Sequence, residues 1–155
     1  NSTQTAIELS REAVEAGADG LLVVTPYYNK CTQQGLIQHY TAVAKEAKAP
    51  IIMYSVSSRT GVNIAPETVA SLVKNVDNIV GIKEASGLMQ QATELLKIDR
   101  EDFSILSGED GLVMPLTAMG FDGVISVAAN LYPNYYASMI QAVREGRVAY
   151  NNIRI

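Results

Sequence analysis

The chain has few of the residues that organise metals, disulfides and histidine catalysis: one cysteine, Cys31, and one histidine, His39, in 155 residues. One cysteine excludes an internal disulfide. With a single histidine beside it there is no Cys/His metal cluster and little basis for a histidine-driven triad. Positive charge is also short, 12 Lys and Arg against 16 Asp and Glu, for a net charge of -4. The basic residues are scattered along the chain, so no electrostatic attraction to nucleic acid or to an anionic membrane is expected. No stretch approaches the roughly 18 apolar residues of a membrane span, and no basic-then-apolar signal opens the chain. A soluble, cytoplasmic setting fits these absences. What is present is 48% hydrophobic residue against 18% charged, the composition of a globular domain with a real core. The chain lacks an initiating Met, begins on a helix-like Asn1-Ser2-Thr3 and stops at Ile155 without a terminal signal, so a piece of a longer protein is expected.

One pattern repeats along the chain. Short, nearly continuous apolar runs occur at Gly20 to Pro26, Pro50 to Val56, Asn78 to Lys83, Phe103 to Leu106 and Gly123 to Val127. Such runs predict strands buried on both faces of a parallel sheet. Between them lie segments with helical spacing: Thr5 to Ala16 before Gly17, Gln34 to Lys48 after a capping Thr32, Pro66 to about Asn75, two more after Ser86 and Glu109, and Pro133 to Glu145. The alternation predicts right-handed βαβ crossovers, an α/β fold, and either an open doubly wound sheet or a (β/α)8 barrel. No strand is followed by a G-x-G-x-x-G or G-x-x-x-x-G-K-[ST] loop, which disfavours the nucleotide-binding open sheet. A TIM barrel is therefore expected for the parent protein. Five strands of the required eight are here, so about three strand-helix units would lie outside the chain.

Polar residues gather at the C-terminal ends of these strands, the edge where both architectures bind ligands. They are Thr25, Tyr27 and Tyr28; Tyr54, Ser55, Ser58 and Arg59; Lys83 and Glu84; Ser107, Gly108, Glu109 and Asp110; Ser126 and Asn130. Lys83 has two readings. It can leave the core at the strand end and pair with Glu84 or Glu109. Alternatively it is a nucleophile: a lysine held among apolar side chains loses the solvation of its charge, and a neutral amine can attack a carbonyl to form a Schiff base. That chemistry also needs a proton shuttle and a carboxylate clamp, and Tyr54 and Arg59, one strand away, are of the right types.

The motifs TPYYNK (Thr25 to Lys30), YSVSSRTG (Tyr54 to Gly61), GIKEASG (Gly81 to Gly87), LSGED (Leu106 to Asp110) and GVISVAAN (Gly123 to Asn130) closely resemble the dihydrodipicolinate synthase family of class I pyruvate-dependent aldolases. The resemblance covers essentially the whole chain in order. It implies a lyase of lysine and diaminopimelate biosynthesis, condensing pyruvate with aspartate 4-semialdehyde through a Schiff base without a metal or organic cofactor. By its motifs, Lys83 resembles the Schiff-base lysine, Tyr54 a proton-shuttling tyrosine, and Tyr28 a tyrosine that reaches across a dimer interface. Arg59 resembles the arginine that binds the carboxylate of the second substrate. Gly108 and Ile125 match positions lining the pyruvate pocket, and Tyr27 matches a position in the allosteric lysine site of regulated members. The resemblance further implies a homo-oligomer, a dimer of dimers, and a chain holding strands four to eight of the barrel. The alternatives are another pyruvate-dependent aldolase, such as an N-acetylneuraminate or keto-sugar-acid lyase, or a non-catalytic fragment of the barrel.

The chain departs from the family pattern at several places. Ser55 and Ser57 stand where Asn and Pro are usual, and Cys31 where Pro is usual. A serine at 57 is expected to leave the turn that aims Arg59 looser. Phe121 stands where a small residue is usual, and the sequence offers no account of how that turn holds it. The family's G-T-T-G-E loop, which supplies a relay threonine and a pyruvate carboxylate site, is absent, as are the C-terminal helices. A five-strand piece alone is expected to expose sheet edges and an apolar barrel lining. Cys31 reads as an ordinary thiol, His39 as a solvated helix residue, and Met114, Met119 and Met139 as helix packing. Glu109 and Asp110 read as helix N-terminal residues rather than metal ligands, and Tyr132, Tyr135 and Tyr136 as packing or a subunit contact.

Overall fold

The computed structural model describes residues 1–147. Helix α1 (Thr3–Glu15) is followed by β1 (Leu21–Val24), α2 (Gln33–Ala47), β2 (Ile51–Ser55), a one-turn helix α3 (Ser57–Thr60) and α4 (Pro66–Asn75). Then come β3 (Ile79–Glu84), α5 (Met89–Leu95), β4 (Ser104–Ser107), α6 (Val113–Met119), β5 (Gly123–Val124) and α7 (Pro133–Arg144), with 3-10 turns at Asp110–Leu112 and Ala128–Asn130. Local chemistry sets several of these bounds. Ser2 and Thr32 cap α1 and α2 by accepting the N–H of Thr5 and Gly35, and Pro66 opens α4 where its missing N–H has no partner to lose.

The five strands are parallel and lie in chain order. Right-handed crossovers between successive neighbours put every intervening helix on the same side of the sheet. Burial follows: along β2, Ile51, Met53 and Ser55 are buried while Ile52 and Tyr54 are half-buried. The core forms between that face and the helices, from Ile51, Met53, Ile79, Ile82 and Ile105 against Leu36, Tyr40, Val43, Val69, Leu72, Leu95 and Leu116. The Tyr40 hydroxyl donates to the Val23 carbonyl at 3.0 Å and ties α2 to β1.

The expectation of strands covered on both faces is corrected here. The second face, carrying Leu22, Ile52, Tyr54, Ser104 and Leu106, has no layer of helices upon it, and Leu22 is 46% exposed. A barrel fills this face by closing, and five strands do not close. A cleft of about 300 Å³ also runs between α1 and the open edge of β1, past Leu9, Ala13, Leu22 and Thr25.

Other differences have local causes. β5 leaves the sheet after two residues because side chains draw the next segment into a turn: Asp110 Oδ2 accepts the Ala128 N–H at 2.9 Å and Ser126 Oγ accepts that of Ala129 at 2.8 Å. Asp110, at the start of its own 3-10 turn, thus binds a neighbouring one. His39 is buried, not solvated, at 5% exposure, because it faces α1: its Nδ1 pairs with Thr3 Oγ1 at 2.9 Å and its ring meets Tyr40 edge-on. Phe121 is 2% exposed within the core, following Gly120, whose φ of 121° turns the chain inward.

Candidate active site

The placement of Lys83 depends on a sheet irregularity. Ile51 pairs with Ile79, yet Ile52 pairs with Gly81, so Val80 is an extra residue on β3. Side chains alternate along a strand, and a shift of one residue exchanges the faces. Past this bulge, Ile82 and Glu84 point to the helices while Gly81 and Lys83 share the uncovered face with Ile52 and Tyr54. Gly81 suits the crossing, since a Cβ there would lie 2.8 Å from the Ser104 carbonyl oxygen.

Lys83 and Tyr54 are register partners at the C-terminal ends of β3 and β2. Lys83 is 8% exposed, and its Nζ lies 4.1 Å from the centroid of the Tyr54 ring. A cation over an aromatic face is attracted by the ring quadrupole, so the ring holds the head of the side chain when it is charged. Gly108 closes on the stem from β4: a Cβ at 108 would stand 2.7 Å from Ala85 Cβ, 2.9 Å from Lys83 Cε and 3.0 Å from Lys83 Cγ. Ile125 hangs beside them through its N–H to the Ser107 carbonyl at 2.9 Å.

The ion-pair reading of Lys83 is not realised among the described residues. The pairs there are Arg11 with Glu46, Lys97 with Glu94, Arg100 with Asp102, and Arg147 with Glu145. Glu84 points the other way, accepting the Ser86 N–H at 2.6 Å and the Gln91 amide at 2.8 Å. Among the described residues no group of three His, Cys, Asp or Glu side chains could hold a metal.

Arg59 stands in α3 after β2, and Tyr27 and Tyr28 on the loop after β1. No hydrogen bond or ion pair among the described residues joins their side chains to Lys83. Arg59 is exposed in α3, which Gly61 ends in the left-handed conformation at φ 73°. The S-R-T-G stretch is a helical turn with Thr60 buried and its hydroxyl shared between the Val56 and Val62 carbonyls. Tyr28 is 86% exposed with φ 72°, a conformation that L side chains seldom adopt, and its N–H reaches the Thr60 carbonyl at 3.4 Å. Tyr27 is 49% exposed. Cys31 is half-buried and burial raises its thiol pKa, which keeps the sulfur protonated and poorly nucleophilic. Asn63 and Gln91, which no motif in the sequence marks, meet Glu84 and Ser55 behind the sheet. The one available signal was strand alternation, which turns Glu84 away from Lys83.

A parallel sheet in chain order, with helices on one face and polar side chains at its C-terminal edge, places the chain in the α/β class, in the manner of β/α barrels. The model of the dihydrodipicolinate synthetase family matches residues 1–153, and the chain belongs to that family. A 4-hydroxy-tetrahydrodipicolinate synthase of Alkaliphilus oremlandii is 53% identical over 148 residues, 96% of this chain and 51% of the relative. The crystal structure of dihydrodipicolinate synthase from Aquifex aeolicus superposes with a TM-score of 0.91 at 46% identity, over 95% of this chain and 50% of that one. That of the chloride-inhibited synthase from Acinetobacter baumannii, complexed with pyruvate, gives 0.88 at 41% identity over 93% and 49%. The chain spans about half the length of the curated relatives it matches. No helix among the described residues is long and apolar enough to cross a membrane.

Proposed function

We propose that the protein carrying this chain is a 4-hydroxy-tetrahydrodipicolinate synthase, and that the chain supplies strands four to eight of its barrel, including the Schiff-base lysine. The observation that carries the reading is Lys83, which is 8% exposed at a strand end, lies over the Tyr54 ring at 4.1 Å and makes no ion pair among the described residues. The names of the relatives, and the pyruvate in the Acinetobacter baumannii structure, support it.

In this reading the Lys83 nitrogen adds to the pyruvate carbonyl carbon, and the carbonyl oxygen leaves as water once protonated. Tyr54, beside the amine, carries that proton. Loss of a methyl proton gives an enamine that attacks the aldehyde of aspartate 4-semialdehyde. The amine of that substrate then closes the ring and releases the lysine. Gly108, lacking a Cβ, leaves room for the stem of Lys83 to pass, and Ile125 offers backbone at the same edge. Arg59 receives the semialdehyde carboxylate, for which a guanidinium is suited by its paired donors. Tyr28 completes the relay of a neighbouring subunit in a dimer of dimers, supported by its high exposure and left-handed backbone. Tyr27 borders a regulatory site for lysine, and the setting is the cytoplasm.

The test supplies the full-length protein with pyruvate and aspartate 4-semialdehyde, and separately with pyruvate and N-acetylmannosamine. Turnover of the semialdehyde alone is expected. Turnover of the sugar alone would replace the synthase by a sialic acid lyase.

A further inference from the structure

Behind the sheet, four side chains join the residues that follow Tyr54 and Lys83. Ser55 Oγ donates to Asn63 Oδ1 at 3.2 Å, and accepts the Ile64 N–H at 3.2 Å. Asn63 Nδ2 donates to Gln91 Oε1 at 2.6 Å, and Gln91 Nε2 donates to Glu84 Oε2 at 2.8 Å and reaches Asn63 Oδ1 at 3.2 Å. Glu84 Oε1 accepts the Ser86 N–H at 2.6 Å. Ser55 is 0%, Glu84 3% and Gln91 8% exposed. A carboxylate so deeply buried is costly unless hydrogen-bonded, and an ionised one can only accept, so it fixes the polarity of the chain from one end.

The backbone makes Glu84 a junction as well. Its carbonyl accepts the Gly108 N–H at 2.7 Å, and the next N–H, of Ala85, donates to the Ser55 carbonyl at 2.9 Å. Ser55 and Glu84 are register partners, as are Tyr54 and Lys83 one residue earlier on the opposite face. Because consecutive side chains point to opposite faces, whatever locks the roll of the strand ends behind the sheet aims the two groups in front of it.

We propose that Ser55, Asn63, Gln91 and Glu84 form a polar strut that aims Lys83 and Tyr54, with Glu84 and Gln91 as positioning residues for imine formation. The proposal rests on the aldolase reading given above. It predicts that what matters at 84 and 91 is the matching of donors to acceptors, not the position of the charge. In Glu84→Gln an amide faces two N–H donors, and one pairing is lost. In the double variant Glu84→Gln with Gln91→Glu, the amide at 84 accepts from Ser86 and donates to the carboxylate at 91, which still accepts from Asn63. Each pairing of the side chain at 84 is restored; only the longer donation from 91 to Asn63 Oδ1 is lost, and that oxygen keeps the Ser55 hydroxyl.

The experiment uses the full-length protein and two rates at Lys83, each read by mass spectrometry: capture of pyruvate under borohydride, and reductive methylation by formaldehyde with cyanoborohydride, normalised to the exposed Lys97. Glu84→Gln is expected to slow pyruvate capture about 10- to 100-fold through kcat rather than KM, and to change the methylation ratio by about threefold or more. The double variant is expected to return both to within about threefold of the wild type. Equal rates in a folded Glu84→Gln, or a double variant no better than the single one, would overturn the strut. If Glu84→Gln does not fold, Gln91→Met takes its place, with the same direction expected and unchanged rates equally fatal. A wild-type protein that never captures pyruvate would sink the aldolase reading instead, and the methylation ratios would still decide the strut.

Discussion

Gly108→Ala is the sharpest steric perturbation that the site allows. Gly108 does not have a left-handed φ, so its backbone would accept alanine, and the cost comes from space alone. The new Cβ would stand 2.7 Å from Ala85 Cβ, 2.9 Å from Lys83 Cε and 3.0 Å from Lys83 Cγ. The lysine stem can swing away, but the Ala85 Cβ is fixed to a backbone tied to β2. The stem therefore moves, and the strand end shifts with it. Overpacking of this kind costs about 1 to 3 kcal/mol, which lowers the melting temperature by roughly 2 to 12 °C in a domain of about 150 to 250 residues, and by less in a larger one. Displacing the amine by something near an ångström slows capture of pyruvate about 100-fold. Adding Ala85→Gly removes the nearest obstacle and should return part of both losses. The assay is thermal unfolding beside borohydride trapping with pyruvate, on the full-length protein. A Gly108→Ala protein with wild-type stability and wild-type trapping would refute the account of how the stem is held.

Tyr54→Phe keeps the ring under the amine and removes only the hydroxyl. It should leave thermal stability nearly unchanged while slowing imine formation about 100- to 10,000-fold, and wild-type capture rates would exclude Tyr54 as the proton carrier. Ser57→Pro falls at the first position of α3, where proline's fixed φ suits a helix start and its missing N–H is not needed. Urea unfolding should show a gain of about 0.4 to 1 kcal/mol, and a loss would mean that this turn needs a different backbone. His39 has a pKa lowered below its ordinary 6.5, chiefly by burial. The fold therefore holds it neutral while the unfolded chain takes up a proton, so its contribution is present above about pH 6.5 and is lost as pH falls from there through the lower value His39 has in the fold. His39→Gln should flatten this part of the stability profile between pH 7.5 and 5.5, and a profile unchanged by the substitution would show that His39 is not its source.

The strand-helix alternation, Thr32 as a cap and Pro66 at the start of α4 were all legible in the sequence, because each rests on a local backbone requirement. Lys83, Tyr54 and Gly108 were legible as neighbours at one sheet edge, since parallel strands bring their C-terminal ends together. The bulge at Val80 was not. A continuous apolar run hides its own register, and only pairing with β2 shows that one extra residue decides which way Lys83 faces. His39 was misread because α2 is rich in polar residues, and it takes the packing of α1 to show which of them lie inside. Asn63 and Gln91 escaped notice for a similar reason: they are 28 residues apart and meet only once α5 returns to the sheet. Phe121, without an account in the sequence, is plain in three dimensions as a core ring behind a glycine turn.

The central claim is that Lys83 captures a keto acid, and mapping the pyruvate adduct tests it most directly. After incubation of the full-length protein with pyruvate and borohydride, one reduced adduct is expected, on the peptide containing GIKEAS and on Lys83 itself, and it should disappear in Lys83→Arg. An unmodified Lys83 in a folded protein, or an adduct on another lysine that persists in Lys83→Arg, would contradict the account.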